Sequence, residues 1–136
     1  MDSTAQSTFI VDLAAYAQNL RVVRDMIPRD CAIMAVVKGN GYGHGSVAVA
    51  QRALQAGAAM LGVATVEEAI VLRAASITAP ILVMVQPPPD AFYEAIENNL
   101  RLVLSDVSAA ERLGELTRKR NLVIPIHCNV DTGMGR

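Results

Sequence analysis

Short apolar runs alternate with helical patterns along most of this 136-residue chain. The apolar runs are CAIMAVV, AAMLGVA, PILVMV, RLVLSD and NLVIPIHCNV. Helical patterns lie between them, near residues 46–55, 66–75, 91–99 and 109–120. The later units repeat about every twenty residues, which is typical of βα units in a parallel sheet. Near-continuous Val, Ile, Leu and Met in the runs favour strands buried on both faces. The sequence therefore predicts an α/β fold with parallel strands.

Two arrangements fit this alternation, an open doubly wound sheet and a TIM-type (β/α)8 barrel. A complete barrel needs about 250 residues. The chain is much shorter and stops at VDTGMGR, directly after a predicted strand. We therefore expect the N-terminal part of a barrel, incomplete in this chain, with no linker that would divide residues 1–136 into separate domains.

The N-terminal region predicts a short strand and then a helix. Phe9 to Val11 form the expected strand, and DLAAYAQNLRVVRDMIP has apolar residues at helical spacing. Asp12 can cap this helix, and Pro28 ends it.

Three later helices carry predicted N-terminal caps. Thr65 with Glu68 and Ser108 with Glu111 have the spacing of a capping box, in which each side chain accepts from the other residue's backbone N–H. Asp90, after three prolines, is a third expected cap.

A single lysine stands at the end of the first apolar run, in the segment AVVKGNGYGHG of residues 35–45. Lys38 and Lys119 are the only lysines of the chain. Glycines follow Lys38 at alternate positions, whereas a Walker loop has its glycines before the lysine and a dinucleotide fingerprint has the spacing G-x-G-x-x-G. The remaining interpretation is a lysine at the carboxyl end of a buried parallel strand, where barrels hold their reactive groups.

The surroundings of Lys38 suggest a chemistry. Strand alternation places it on the same face as Met34 and Val36. If that face is the barrel interior, desolvation lowers the pKa of the amine, and a neutral amine can attack the carbonyl group of a cofactor. The small residues that follow leave room for a planar ring, and the Tyr42 phenol can donate to a phosphate. A solvated lysine followed by an ordinary glycine loop is the alternative that these residues leave open.

Composition excludes several classes of partner. Charged residues make up 18% of the chain and the net charge is −1, with no basic stripe. This balance argues against a nucleic-acid partner. The apolar stretches are shorter than the ~20 residues that span a bilayer, and the start MDSTAQSTF lacks the pattern of a signal peptide. We therefore expect a cytoplasmic protein without a membrane partner.

The cysteines and histidines give no sign of a metal site. Cys31 and Cys128 are far apart and are expected to be buried thiols in a reducing compartment. His44, between glycines, is expected to be a polar turn residue. His127 shares a strand face with Asn129, so this face is expected to point into the barrel while Cys128 faces the helices. No set of His, Cys, Asp or Glu has metal-ligand spacing, and no metal is predicted.

The segment AVVKGNGYGHG closely resembles the pyridoxal-phosphate attachment segment of the alanine racemase family, which usually has alanines at the positions of Gly39 and Gly41. The opening IVDLAAYAQNLRVVR is similar to the family's first strand and helix, and VDTGMGR to a later signature. The resemblance implies a pyridoxal 5'-phosphate enzyme with an N-terminal barrel, a C-terminal β domain and a homodimer with shared active sites. Residues 1–136 would form part of the cofactor-binding barrel domain, and the C-terminal domain would be absent.

Site roles follow from the resemblance residue by residue. Lys38 would hold the cofactor and serve as one of two catalytic bases, and Tyr42 would bond the cofactor phosphate. Arg136 would contact the cofactor's phenolic oxygen and the substrate carboxylate, since its planar guanidinium suits oxyanions. The implied activity is interconversion of L- and D-alanine for the bacterial cell wall. The second base would come from the partner's C-terminal domain, because Tyr16 and Tyr93 are expected to pack in helices. The chain alone is therefore expected to be inactive.

Asn129 departs from the family pattern. Many members carry there a lysine that becomes carbamylated and orients the active-site arginine, and an asparagine cannot be carbamylated. A broader-specificity amino-acid racemase, acting for example on serine, is therefore an alternative. A non-catalytic pyridoxal-phosphate-binding homeostasis protein is a second alternative, and an open-sheet scaffold with an incidental lysine is a third.

Overall fold

A computed structural model describes residues 8–135 of the chain. Helices and strands alternate along them in the order α1 (Leu13–Met26), β1 (Met34–Val36), α2 (Lys38–Tyr42), α3 (Ser46–Gln55), β2 (Met60–Val63), α4 (Val66–Ala74), β3 (Ile81–Val83), α5 (Phe92–Glu97), β4 (Arg101–Leu104), α6 (Val107–Arg118) and β5 (Ile126–Cys128). A 3-10 turn, Pro89–Ala91, leads into α5. Every predicted apolar run contains one of these strands.

The five strands form one sheet in the order β1-β2-β3-β4-β5, and each pairs with the next in parallel. Val36 lies in register with Gly62, Gly62 with Leu82, and Leu102 with Ile126. Strand order equal to chain order is what a parallel barrel requires, because each βα unit places its strand beside the previous one. The expected α/β class, an N-terminal part of a TIM-type barrel, is confirmed.

The hydrophobic core lies between the sheet and its helices. Alternate residues of β4 are buried against them, β2 and β3 are buried on both faces, and β5 is exposed. Fully buried members of this layer are Leu61, Val63, Ile81, Val83, Phe92 and Leu102. Ala35 in β1 and Val37 directly after it are buried, so Met34, Val36 and Lys38 belong to the opposite side, as expected. The same alternation puts His127 on the face away from the core, in register with Val103.

Two expectations about burial and strand content are wrong. Phe9 to Val11 form no strand, because a strand needs a neighbour for its N–H and C=O groups and these residues pair with none of the described ones. Cys31 and Cys128 are both exposed rather than buried. Cys31 follows the turn after Pro28, and a cleft between β5 and α6 leaves Cys128 open to solvent.

The cap of α1 is confirmed, whereas the cap of α6 differs from the prediction. Asp12 Oδ1 accepts from Ala14 N at 2.8 Å and from Ala15 N at 3.0 Å. The N-cap of α6 is Asp106 instead of Ser108, and its carboxylate accepts from Ala109 N at 2.7 Å. An aspartate two residues earlier lets the helix begin at Val107, before the predicted start, and a carboxylate is a strong N-terminal acceptor.

The other two predicted caps also need correction. Thr65 Oγ1 accepts from Glu68 N at 3.4 Å, which is one half of the capping box. The Glu68 carboxylate, however, bonds elsewhere and leaves the other half unformed. Asp90 lies inside the 3-10 turn that follows Pro88, and no side chain caps that turn.

The two helical tyrosines differ in their packing. Tyr16 packs against the core, and burial raises the pKa of its phenol. Tyr93 is 53% exposed, contrary to expectation, and lies under the Arg120 guanidinium at 4.4 Å from the ring centre. Arg120 also pairs with Glu97, so Tyr93 belongs to a surface cluster. Among the helices of residues 8–135, none is long and apolar enough to cross a membrane.

Candidate functional site

Lys38 follows directly after the last ladder contact of β1. Val37 N donates to Gly62 O at 2.8 Å, which extends the pairing of β1 with β2 by one bond. Lys38 is half-buried, and within residues 8–135 its amine has neither a hydrogen bond nor an ion pair. The amine is therefore available to a group that approaches the carboxyl end of the sheet.

The residues after Lys38 form a left-handed turn, which we call the lysine turn (residues 38–45). Gly39, Asn40 and Gly41 have φ of 60°, 53° and 65° with ψ near 40° to 45°, and Tyr42 and Gly43 have φ of 55° and 84°. Left-handed backbone costs an ordinary L-residue about 1–2 kcal/mol, a cost that glycine avoids and asparagine reduces. Glycine at positions 39, 41 and 43 and asparagine at position 40 thus lower the conformational cost of this turn.

Backbone bonds and close packing hold the lysine turn. Gly43 N donates to Gly39 O at 2.9 Å, and Gly45 N to Asn40 O at 2.9 Å. A Cβ added at Gly41 would lie 3.2 Å from Ser46 N. The turn therefore packs directly onto the start of α3.

Tyr42 and His44 face different surroundings. Tyr42 is 61% exposed, so its side chain is open to solvent. His44 Nδ1 lies 2.9 Å from Gly41 O, and its ring lies 5.6 Å from that of Phe9. His44 is thus the polar turn residue that the sequence predicts.

Apolar side chains crowd the interior face around Gly62, next to β1. A Cβ added at Gly62, in register with Val36, would come within 2.9 Å of Met84 Sδ and 3.5 Å of Met34 Sδ. The position next to Lys38 is open, because a Cβ at Gly39 would meet no atom within 4 Å. The interior face is therefore crowded at Gly62, whereas no atom lies close to the position of a Gly39 side chain.

Glu68 is a site residue that sequence reasoning assigned to a different role. Its Oε1 accepts from Gly39 N at 2.7 Å and its Oε2 from Ala64 N at 2.7 Å. The capping-box pattern identified the residue, but nothing in the local sequence indicates a contact with a turn 29 residues away.

A second polar group joins the loops after β3 and β4. Gln86 Oε1 accepts from Ser105 N at 2.7 Å, and Gln86 Nε2 donates to Asp106 Oδ2 at 2.6 Å. The Ser108 hydroxyl, the Gln86 amide and Ala109 N lower the pKa of Asp106 from 3.8 to about 2. The carboxyl edge of the sheet is thus built from linked loops.

The segment after β5 contains the other residues of interest. Asn129 is half-buried, and its backbone N–H donates to Leu104 O at 2.8 Å. Asp131 Oδ1 accepts from Gly133 N at 2.9 Å and from Gly135 N at 3.1 Å, and these bonds lower its pKa. Arg136, the predicted partner of the substrate carboxylate, lies outside the described residues. Lys38 and Asn129 follow the two outer strands, with β2, β3 and β4 between them.

A cavity of about 370 Å³ lies behind the lysine turn, between α1 and residues 9–11. It is lined by Gly41 and His44 but not by Lys38 or Tyr42. The predicted reactive groups therefore do not line this cavity.

Five parallel strands in chain order, with a lysine and a glycine turn after the first, define the N-terminal part of a (β/α)8 barrel. The chain belongs to the alanine racemase N-terminal domain family, whose model matches residues 11–136.

Individual relatives agree with this family. The chain is 48% identical over 128 residues to Alanine racemase 2 of Bacillus subtilis, covering 93% of this chain and 32% of that protein. Its structure is similar to that of alanine racemase from E. faecalis, with a TM-score of 0.88, 35% identity and coverage of 93% and 34%. It is also similar to Histidine Racemase from Leuconostoc mesenteroides, with a TM-score of 0.83, 31% identity and coverage of 91% and 33%. The chain spans about a third of the length of these proteins.

Proposed function

We propose that this chain is the N-terminal, cofactor-binding part of a pyridoxal-phosphate-dependent alanine racemase that acts in the cytoplasm as a homodimer. The observation that carries the proposal is the Lys38 amine, unpaired within residues 8–135, at the end of β1 and the start of the lysine turn, in a member of this family. The substrate would be a small amino acid, and D-alanine for peptidoglycan would be the product.

The residues of the lysine turn fit a flat, phosphorylated aldehyde. A Cβ at Gly39 would meet no atom within 4 Å, so the residue after Lys38 does not obstruct a ring that approaches the amine. The Lys38 amine can hold an aldehyde covalently, and the exposed Tyr42 hydroxyl can donate to a phosphate.

When bound, this cofactor supplies an electron sink that makes the α-hydrogen of an amino acid acidic. Lys38 Nζ would take or return the proton at the α-carbon from one face. Inversion needs a second base on the opposite face, for which the partner's C-terminal domain is the proposed source. Arg136 would hold the substrate carboxylate and the phenolic oxygen.

The decisive experiment is a chimera in which residues 11–136 replace the matching segment of Alanine racemase 2 of Bacillus subtilis. After borohydride reduction with pyridoxal phosphate, peptide mapping should find the pyridoxyl mass on Lys38. Lys38→Ala should abolish alanine racemisation, whereas Lys119→Ala should not. Label on Lys119 alone, or full activity of Lys38→Ala, would overturn the proposal. A labelled chimera without turnover would favour a non-catalytic cofactor-binding protein.

The 136-residue chain alone should not racemise alanine at an appreciable rate. Residues 8–135 supply five strands, whereas the barrel has eight. Racemisation of alanine by the purified chain would contradict the proposal that the second base comes from outside residues 1–136.

A broader-specificity amino-acid racemase is the second candidate function. Asn129 favours it, because a neutral amide stands where many family members carry a carbamylated lysine. The similarity to a histidine racemase agrees with a wider substrate range on the same barrel.

A further inference from the structure

Glu68, in the first turn of α4, joins the lysine turn to the loop after β2. One carboxylate oxygen lies 2.7 Å from Gly39 N and the other 2.7 Å from Ala64 N. Both bonds are charge-assisted, and such bonds are roughly twice as strong as neutral ones. A single side chain therefore ties together the segments that follow two neighbouring strands.

The bond to Gly39 acts on the peptide group that follows the Cα of Lys38, because Gly39 N belongs to that group. The preceding peptide is held as well, since Val37 O accepts from Gly41 N at 2.8 Å. With both flanking peptide planes fixed, the direction of the Lys38 Cα–Cβ bond is fixed.

Gly39 has no side chain to restrain this peptide. Its φ is +60°, and a Cβ there would meet no atom within 4 Å. Glycine populates positive and negative φ about equally, so the peptide could rotate if it were not bonded. The Glu68 carboxylate therefore adds to the backbone bonds of the turn a restraint on this peptide from a separate segment of the chain.

Two simpler roles for Glu68 do not account for this geometry. A capping box would direct its carboxylate to Thr65 N, yet both oxygens are bonded to other N–H groups. An ion pair would direct it to the Lys38 amine, and the one ion pair of residues 8–135 joins Arg120 to Glu97.

We propose that Glu68 is a positioning residue that holds the peptide between Lys38 and Gly39, and so aims the Lys38 amine at the cofactor aldehyde. The effect of this positioning on the reaction of Lys38 with the cofactor rests on the proposed function. The restraint itself belongs to the 136-residue chain and can be measured without a cofactor.

Amide hydrogen exchange of the full chain tests the restraint. Glu68→Ala should make the Gly39 and Ala64 amides exchange about tenfold faster or more, as expected for lost bonds to a charged group. The Leu61 amide, which donates to Pro80 O at 2.9 Å, should be unchanged if the sheet is intact. Glu67→Ala removes the neighbouring charge from the same helical turn and should leave the Gly39 amide as slow as in the wild type.

Glu68→Gln covers the case in which Glu68→Ala does not fold. Its side-chain amide has one acceptor oxygen, so at least one of the two amides should exchange faster while Leu61 is unchanged. Wild-type exchange of both amides in a folded Glu68→Gln or Glu68→Ala variant would overturn the proposal.

Labelling of the chimera tests the effect on Lys38. At limiting pyridoxal phosphate, Glu68→Ala should lower the pyridoxyl yield on Lys38 toward that on Lys119, and Glu67→Ala should not. Faster Gly39 exchange with an undiminished Lys38 yield would overturn the positioning role. If wild-type Lys38 takes no label, the proposed function fails, and the exchange experiment still decides whether Glu68 holds the turn.

Discussion

Asn40 Oδ1 accepts a hydrogen bond from Ser46 N at 2.9 Å, so a side chain of the lysine turn caps the first residue of α3. The N-cap residue Gly45 has no side chain that could do so. Asn40 has φ of 53°, a conformation that asparagine tolerates better than most residues. One residue thus serves both the turn and the helix after it.

Substitution of Asn40 should separate these two roles. We expect Asn40→Ala to lower the free energy of unfolding by about 1–2 kcal/mol, because it loses the acceptor and strains the left-handed backbone. Asn40→Asp keeps an oxygen acceptor and a tolerated φ, and should stay close to wild type. Urea unfolding of the chain measures both. Equal losses in the two variants would exclude the hydrogen bond as the cause.

Arg73 should contribute strongly to stability near the amino ends of β3 and β4. Its guanidinium donates to the carbonyls of Ile77, Ala79, Asn98 and Asn99 over 2.7–3.1 Å, and partial burial lowers its pKa. A lysine cannot reproduce this planar set of donors. Arg73→Lys should therefore cost about 2 kcal/mol or more in thermal or urea unfolding.

The matched control for Arg73 is Arg112→Lys. Arg112 is exposed on α6 and forms no side-chain hydrogen bond within residues 8–135. This variant should unfold like the wild type. A similar loss in both variants would mean that the carbonyl contacts of Arg73 contribute little.

Asp106 should make stability depend on pH in the acid range. The Ser108 hydroxyl, Gln86 and Ala109 N lower its folded pKa from 3.8 to about 2. Because the folded pKa is the lower one, the stabilisation is present above 3.8 and is lost as the pH falls toward 2.

Asp106→Asn should therefore be less stable than the wild type at neutral pH, with a gap that narrows as the pH falls from about 4 to about 2. Unfolding curves across this range measure the gap, and Asp30→Asn, in an exposed turn, is the control. A gap that is the same at every pH would contradict the role of the charge.

Asn129 should widen the substrate range of a racemase that contains this chain. A carbamylated lysine would hold an arginine by a negative charge, whereas an amide offers only a neutral oxygen and leaves room for a small anion. We expect activity toward small amino acids besides alanine, sensitivity to chloride and no requirement for bicarbonate.

The measurement is a substrate panel on the chimera and on its Asn129→Lys variant, with and without chloride and bicarbonate. If the parent chimera accepts only alanine and its activity does not change with chloride, Asn129 does not widen the substrate range.

Local sequence patterns predicted the elements well because each carries its own signal. Asp12 before an amphipathic segment indicates the start of a helix, and this signal is local. The apolar run PILVMV likewise indicates a buried strand without reference to the rest of the chain. Contacts between distant segments were not predictable in this way. The bond from Gly39 to Glu68 joins residues 29 apart, and the exposure of Cys128 depends on how α6 lies against β5.

The candidate site shows the same division. Lys38 was singled out as a lysine at the end of a buried strand before alternate glycines, and Tyr42 as the one large side chain of that segment, while their site roles follow from the family resemblance and stay predictions. Glu68 was identified as a cap and has a different contact, because the tertiary fold brings an unsatisfied N–H within its reach. A single sequence contains the donor and the acceptor but does not indicate that they meet.

The handedness of the lysine turn has a consequence for chemical synthesis of this chain. Residues 39–41 have the φ and ψ of a right-handed helix reflected in a mirror, and that reflected region is the ordinary helical one for D-amino acids. A D-residue in place of Asn40, or of a neighbouring glycine, would follow this backbone without the strain that an L-residue bears. The lysine turn is thus a segment of an L-protein whose main chain already has the geometry natural to the opposite enantiomer.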